Sequence, residues 1–396
     1  MDILKLLLIL TIFFRMALLT FPSFEYDESN YRVWTQRLMD FGPSKFYSTE
    51  VFTNNPLGYL YIFWVVGLIK NSFLHHINYI SKEFDILLKT PATIADILSG
   101  LLIYFIVRKF INYHWALLAF ILYVFNPTIF FNSSVWGQYD SFSTLFLLLS
   151  SYSLIARKKP EISTLFFAIS WVIKPQALVF APIFILMILK FYNPSVWIKS
   201  ALIFLVTSLV LYFPFFPKNP IAGLIFVNSN SANLFNCTSC FAFNFWGVFG
   251  NWQNDLQKFL GFPLLVWGTL FLLLSYVLIF IRKSSLKFNP SIFYLTSAIS
   301  FFAFFTFLTR MHERYLFPFF SFFLIASCLL KSRKLALFYV FISVLSFLNL
   351  YLPYAYYNKY PSIFLNILLQ NFSILSLVSV ICFLLLLIYS LKREKN

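Results

Sequence analysis

The chain has 396 residues, of which 60% are hydrophobic and only 11% charged, and its mean hydropathy is +0.79. A soluble domain carries about 25% charged residues, so a soluble enzyme, a disordered chain and a disulfide scaffold are excluded, leaving a polytopic membrane protein. The net charge of +16 reads as basic cytoplasmic loops, not as a nucleic-acid surface, and no nucleic-acid partner is expected.

A span needs about 20 apolar residues. Apolar runs lie near 3–21, 57–74, 92–107, 114–131, 140–156, 162–173, 176–190, 199–216, 262–281, 291–308, 315–330, 335–352 and 364–391. The fold class this implies is all-α and polytopic, with about 11–13 transmembrane helices. The first run lacks a small-residue cleavage site and is read as a retained span. The runs 162–173 and 176–190 are short and flank Lys174-Pro175-Gln176. Proline breaks a helix, and broken backbone at membrane depth survives where it is packed in protein or lines a wet cavity.

Charge sets the orientation. One set of loops collects Arg108, Lys109, Arg157, Lys158, Lys159, Lys190, Lys199, Arg282, Lys283, Lys287, Lys331, Arg333, Lys334, Lys392, Arg393 and Lys395 against Glu161 and Glu394 alone. The other set, which includes Glu50, mixes both signs. The first set is cytoplasmic by the positive-inside rule, and the C-terminus with it. An N-terminus on the same side then requires one more crossing between Lys70 and Pro91. A short half-span over 81–89 is the expected solution, with His75-His76 as cytoplasmic-side filler.

The polar clusters then fall on the extracytoplasmic face. Phe24-Glu-Tyr-Asp-Glu-Ser-Asn30 carries three carboxylates, followed by Tyr31, Trp34 and Leu38 at helical spacing. This predicts a short amphipathic helix lying in the interface, its acids either capping that helix or doing chemistry. Asn132-Ser-Ser-Val-Trp136-Gly-Gln138-Tyr-Asp140-Ser141 brings an aromatic face, an amide and a carboxylate, as a sugar-binding site requires. Thr309-Arg310-Met-His312-Glu313-Arg314-Tyr315 places two guanidinium forks, suited to phosphate, at a membrane edge where charge is costly. Lys174 is a further cation, or a snorkelling side chain. Asp96 lies within a span as a structural contact or a site residue. Cys237-Thr-Ser-Cys240 reads as a local disulfide or two free thiols, without the four ligands of a zinc site. Cys328 and Cys382 fall in apolar spans. The loop 217–261 contains the sequon Asn236-Cys-Thr and reads as a lid or acceptor surface.

Taken in order, these motifs resemble a family: the mannosyltransferase-like membrane proteins related to the second mannosyltransferase of GPI-anchor synthesis, of the C-type glycosyltransferase fold. The residues that carry the resemblance are Asp27, Trp34, Gly42, Phe46-Tyr47 and Asn55-Pro56-Leu57-Gly-Tyr59; Lys89-Thr-Pro-Ala-Thr-Ile-Ala-Asp96; Asn126-Pro127, Trp136-Gly-Gln-Tyr-Asp140-Ser141, Lys174-Pro-Gln176 and Pro182; and Thr309-Arg-Met-His-Glu-Arg-Tyr-Leu-Phe-Pro318. Relatives often have Pro-Pro where this chain has Asn55-Pro56. The resemblance covers 1–320 as a catalytic module and leaves 321–396 as C-terminal spans.

What the resemblance implies is an inverting transfer of a hexose, mannose foremost, from a polyprenyl- or dolichyl-phosphate sugar to a lipid-linked or glycan acceptor. The catalytic carboxylate would be Asp27, with Glu25 or Glu28 as substitutes. Arg310, His312, Arg314 and Lys174 would bind the donor phosphate, and Trp136, Gln138, Asp140, Glu313, Asp96 and Lys89 the sugar or acceptor. No cofactor is implied, and a divalent cation is left open. The expected place is an integral membrane position, the plasma membrane in a prokaryote, with the active site extracytoplasmic. The rival readings are a lipid or saccharide transporter or flippase, an oligosaccharide ligase, and a C-type transferase for another sugar.

Overall fold

The computed structural model describes residues 3–48, 53, 56–283 and 289–392. Glu50, Asn55, Lys287, Arg393, Glu394 and Lys395, which enter the sequence argument, lie outside them. The described helices are α1 (Ile3–Leu19), α2 (Glu25–Phe41), α3 (Leu57–Phe73), α4 (Lys82–Phe110), α5 (Tyr113–Val124), α6 (Pro127–Phe130), α7 (Asp140–Ile155), α8 (Pro160–Ile173), α9 (Ala181–Phe191), α10 (Pro194–Tyr212), α11 (Pro220–Ala232), α12 (Leu264–Lys283), α13 (Pro290–Phe307), α14 (Phe317–Leu329), α15 (Arg333–Tyr357), α16 (Ile363–Gln370) and α17 (Phe372–Lys392). Four two-residue strands are also described: β1 (Ser239–Cys240), β2 (Lys258–Phe259), β3 (Phe262–Pro263) and β4 (Met311–His312).

The protein is an all-α, multi-pass integral membrane protein. By length and apolarity, α4, α10, α13, α15 and α17 each suffice to cross a bilayer, and Tyr113–Val124 with Pro127–Trp136 makes a sixth when taken as one broken span. The shorter apolar helices include α3, α7, α8 and α14.

Asn-Pro dipeptides start many of these helices. Asn126, Asn193, Asn219 and Asn289 each accept a backbone N–H of the first turn on the side-chain oxygen, at 2.9 to 3.1 Å. The proline that follows has no N–H, and that donor would have been orphaned anyway.

The contacts divide the chain into two compact units. Unit 1 is Met1–Leu102, Ile129–Leu178 and Phe184–Leu234; unit 2 is Ile103–Thr128, Val179–Ile183 and Phe235–Asn396.

In unit 1 the amphipathic helix forms as expected. Tyr31, Trp34 and Leu38 are buried on one face of α2, against Phe63 of α3 and Tyr139. The expected half-span at 81–89 does not exist. Residues 82–110 form one helix with Pro91 inside it, and the neighbouring Thr90 hydroxyl donates to the Ile86 carbonyl at 2.7 Å. Lys89 Nζ donates to the Phe21 carbonyl at 2.7 Å. The N-terminal part of α4 therefore meets the C-terminal end of α1. The run 57–74, read as a span, forms the 17-residue α3, one of the shorter apolar helices. His75 and His76 lie in the turn between α3 and α4. The run 364–391 likewise divides, at Asn371, into α16 and α17.

α3 packs backbone to backbone on α8. A methyl group at Gly58 would overlap the Ile173 backbone, and at Gly67 it would press on Met39. Alanine usually stabilises a helix relative to glycine by about 1 kcal/mol. Gly58→Ala should do the reverse and destabilise by about 1–3 kcal/mol through overpacking, read as a lower unfolding temperature in detergent.

Candidate functional site

In unit 1 the site forms where α2 begins. Glu25, Asp27 and Glu28 occupy its first turn, where the helix dipole favours negative charge. Opposite them, Phe131–Trp136 forms a π-helical turn. It ends at Gly137, whose φ of 94° is open to glycine at little cost. A side chain there would also press on Lys89. This irregular turn carries Trp136 and Gln138 back toward α2.

The two residues converge on Asp27. Trp136 Nε1 donates to Asp27 Oδ2 at 2.9 Å, and Gln138 Nε2 donates to the same oxygen. The Phe24 backbone N–H donates to the Trp136 carbonyl at 3.2 Å, and the two rings lie 4.6 Å apart. Asp27 is half-buried. Its other oxygen, Oδ1, makes no hydrogen bond among the described residues. The carboxylate is thus oriented by one oxygen and open at the other.

The three acids have separate environments. Glu25 is exposed and reaches Arg32 at 3.2 Å. Glu28 is buried, accepts from Ser23 Oγ at 2.7 Å and lies 3.6 Å from Arg32. Arg32 makes a two-pronged pair with Asp85 of α4, both bonds 2.7 Å, which clamps α2 to α4. Burial, then the like charge of Asp85, pushes the Glu28 carboxyl up to about 7, against the opposing pull of Ser23, Lys89 and Arg32.

The remaining residues of the second sequence cluster brace one another. Lys174 is not a snorkelling side chain: its amine is buried and paired with Asp140. It sits in extended backbone just past α8, so the helix break aims it inward. Asn132 Nδ2 donates to Asp140 Oδ2 at 3.3 Å, and the Gln138 N–H donates to the Asn132 carbonyl at 2.9 Å. Asp96 is fully buried against Arg15 at 3.3 Å and also accepts from Ser133.

The third sequence cluster belongs to unit 2. Arg310 Nε donates to Asp255 Oδ2 at 2.7 Å, and the Thr309 hydroxyl joins the same oxygen at 3.0 Å. Glu313 accepts from Arg314 Nη1 at 2.8 Å and lies 3.9 Å from His312 Nδ1. Cys237 and Cys240 form a disulfide, so neither thiol is available as a metal ligand. The residues around it pair in parallel with β4, Ser239 with Met311 and Cys240 with His312. The Arg310 N–H donates to the Cys237 carbonyl at 2.7 Å.

Sequence reasoning missed three partners: Arg15, Asp85 and Asp255. Arg15 did carry a signal, since a charge within an apolar run is a functional candidate by default. Asp85 and Asp255 carried none, because each looks like an ordinary loop or helix-start acid.

Glu28 has a pH signature. Its carboxyl titrates near 7 in the folded protein against 4.5 as a free side chain. Between those values the folded state holds more protons than the unfolded one. Stability should therefore fall as pH rises from 4.5 to 7 and level off above, by a few kcal/mol at most. In Glu28→Gln this part of the slope should vanish, which thermal unfolding across that pH range would show.

Comparison with known proteins bears on the family. No curated protein matches the chain. The family whose model matches, over residues 37–245, is described as GPI transamidase subunit PIG-U. The match corrects the resemblance drawn from the motifs: the GPI-related membrane machinery stands, but the family is not specifically that of the second mannosyltransferase. With more than half of its length matched, the chain belongs to the family of the GPI transamidase subunit PIG-U.

Proposed function

We propose that the chain is a C-type membrane glycosyltransferase. On this reading it moves a hexose, mannose foremost, from a polyprenyl- or dolichyl-phosphate sugar to a lipid-linked or glycan acceptor at the extracytoplasmic face. Residues 1–320 would form the catalytic module. The observation that carries the reading is the Asp27 carboxylate, with Oδ2 latched by Trp136 and Gln138 and Oδ1 open.

In this reaction the acceptor hydroxyl gives its proton to Asp27 Oδ1. Its oxygen bonds to the anomeric carbon, the carbon–phosphate-oxygen bond breaks, and the lipid phosphate leaves with the electron pair. Attack opposite the leaving group inverts the anomeric centre. Glu25, exposed and drawn to Arg32, and Glu28, buried against Ser23, support this role less well. The leaving phosphate calls for positive charge. Lys174 is the proposed cation of the same unit, and it would have to share Asp140. Trp136 and Gln138 position the base, Lys89 supports Gly137 beside them, and Asp140, Glu313 and Asp96 brace Lys174, Arg314 and Arg15.

A second reading rests on the family match, which begins after Asp27 and ends before Arg310. On that reading the chain is a glycolipid-recognising subunit of a transamidase-like assembly and performs no sugar transfer.

The test is an assay of purified protein in nanodiscs with labelled polyprenyl-phosphate mannose and a lipid extract. Wild type should transfer or release label, and Asp27→Asn should lose about a hundredfold or more with its unfolding temperature unchanged. Equal activity in both would move the base to Glu25, Glu28 or Asp140. No turnover by wild type with several lipid-phosphate sugars, alongside retained glycolipid binding, would favour the second reading.

A further inference from the structure

The segment before α12 has a feature that neither functional reading uses. β2 and β3 form an antiparallel hairpin, with Lys258 opposite Pro263 and Phe259 opposite Phe262. Its two-residue turn is Leu260-Gly261, with φ of 49° and 86°. Both positive values suit a tight hairpin, whose first turn residue is normally Asn, Asp or Gly. Here it is leucine, for which left-handed backbone is unfavourable. The same leucine is 73% exposed, flanked by Phe259 at 58% and Phe262 at 57%.

In water both properties of Leu260 are costs without return. An outlier of this kind points to function. Three observations say what meets the tip. The chain passes directly from β3 into α12, whose Leu270, Leu273, Leu274 and Val277 are exposed along an apolar helix. Trp267 donates its indole N–H to the Phe259 carbonyl at 2.9 Å, the amphipathic ring typical of the membrane–water boundary. Lys258, exposed beside the tip, suits anionic headgroups.

We propose that this hairpin is an interfacial anchor, its tip of Phe259, Leu260 and Phe262 inserted at the headgroup–acyl boundary where α12 begins. The anchor is rooted in the cation cluster of the same unit. The Leu264 and Leu265 N–H groups donate to the Gln257 and Asp255 carbonyls at 2.9 and 3.2 Å, and the fully buried Asp255 holds Arg310 and Thr309. Insertion of the tip thereby sets the depth at which loop 309–315 is held. The inference is independent of whether the chain transfers sugar.

Leu260→Cys, labelled with an environment-sensitive fluorophore in nanodiscs, tests it. Cys328 and Cys382 are buried and Cys237 is bonded to Cys240, so the new thiol is the accessible one among the described residues. Lipids carrying a shallow nitroxide should quench the label several-fold more than iodide in the water does. Quenching by iodide but not by lipid would overturn the proposal, and quenching by neither would place protein, not lipid, over the tip. Leu260→Asn keeps the turn with a better left-handed residue. It should nonetheless lower the unfolding temperature in nanodiscs, and an equal or higher value would also overturn the anchor.

Discussion

A charge moved from water into apolar surroundings must find a partner or lose its charge, and the two units are organised around meeting that demand. In unit 1, Arg15 of α1 pairs with Asp96 of α4, Arg32 of α2 with Asp85 of α4, and Lys174 after α8 with Asp140 of α7. In unit 2, Asp255 holds Arg310, and Glu313 holds Arg314. Each pair but Glu313–Arg314, which are chain neighbours, joins segments that apolar packing alone would leave free to slide. A Leu or Phe contact tolerates a shift of register, whereas a hydrogen-bonded ion pair does not.

Asp27, at the candidate site, is held differently. Its partners are the neutral donors Trp136 and Gln138, which orient the carboxylate without neutralising it. In the same unit, Arg15, Arg32 and Lys174 are each held by a carboxylate. The π-helical turn and Gly137 are the local irregularities that make the convergence geometrically feasible, as such turns often do at functional sites. Glu28, one residue further on and one helical face away, shows how sharply the environment changes. It is sealed beneath Arg32 and Ser23, where burial favours the protonated form.

Much of this was legible in the sequence. The three acids, the Trp136–Asp140 run, Lys174 beside Pro175 and the 309–315 cluster each stand out because polar groups are rare in so apolar a chain. The amphipathic spacing of Tyr31, Trp34 and Leu38 predicted α2. What failed was the half-span expected over 81–89, which is the first part of α4. Hydropathy registers that α3 is apolar, but not that Leu57, Leu60, Phe63 and Val66 are buried on it while Val65, Leu68, Ile69 and Phe73 are exposed. Proline in the sequence likewise suggested an end to the helix at Pro91, where packing carries the helix through.

Composition and motif spacing by themselves determined that the chain is an all-helical membrane protein with its chemistry-bearing residues in a few clusters. They could do so because burial in a bilayer imposes a cost on each polar residue separately, and such costs are visible one residue at a time. Only the tertiary structure decided who meets whom: Asp27 with Trp136 and Gln138, Arg15 with Asp96, Asp85 with Arg32, Asp255 with Arg310. Those choices depend on distances between segments far apart in the chain, and on which face of each helix is turned inward. Neither quantity is a property of any stretch of sequence taken alone.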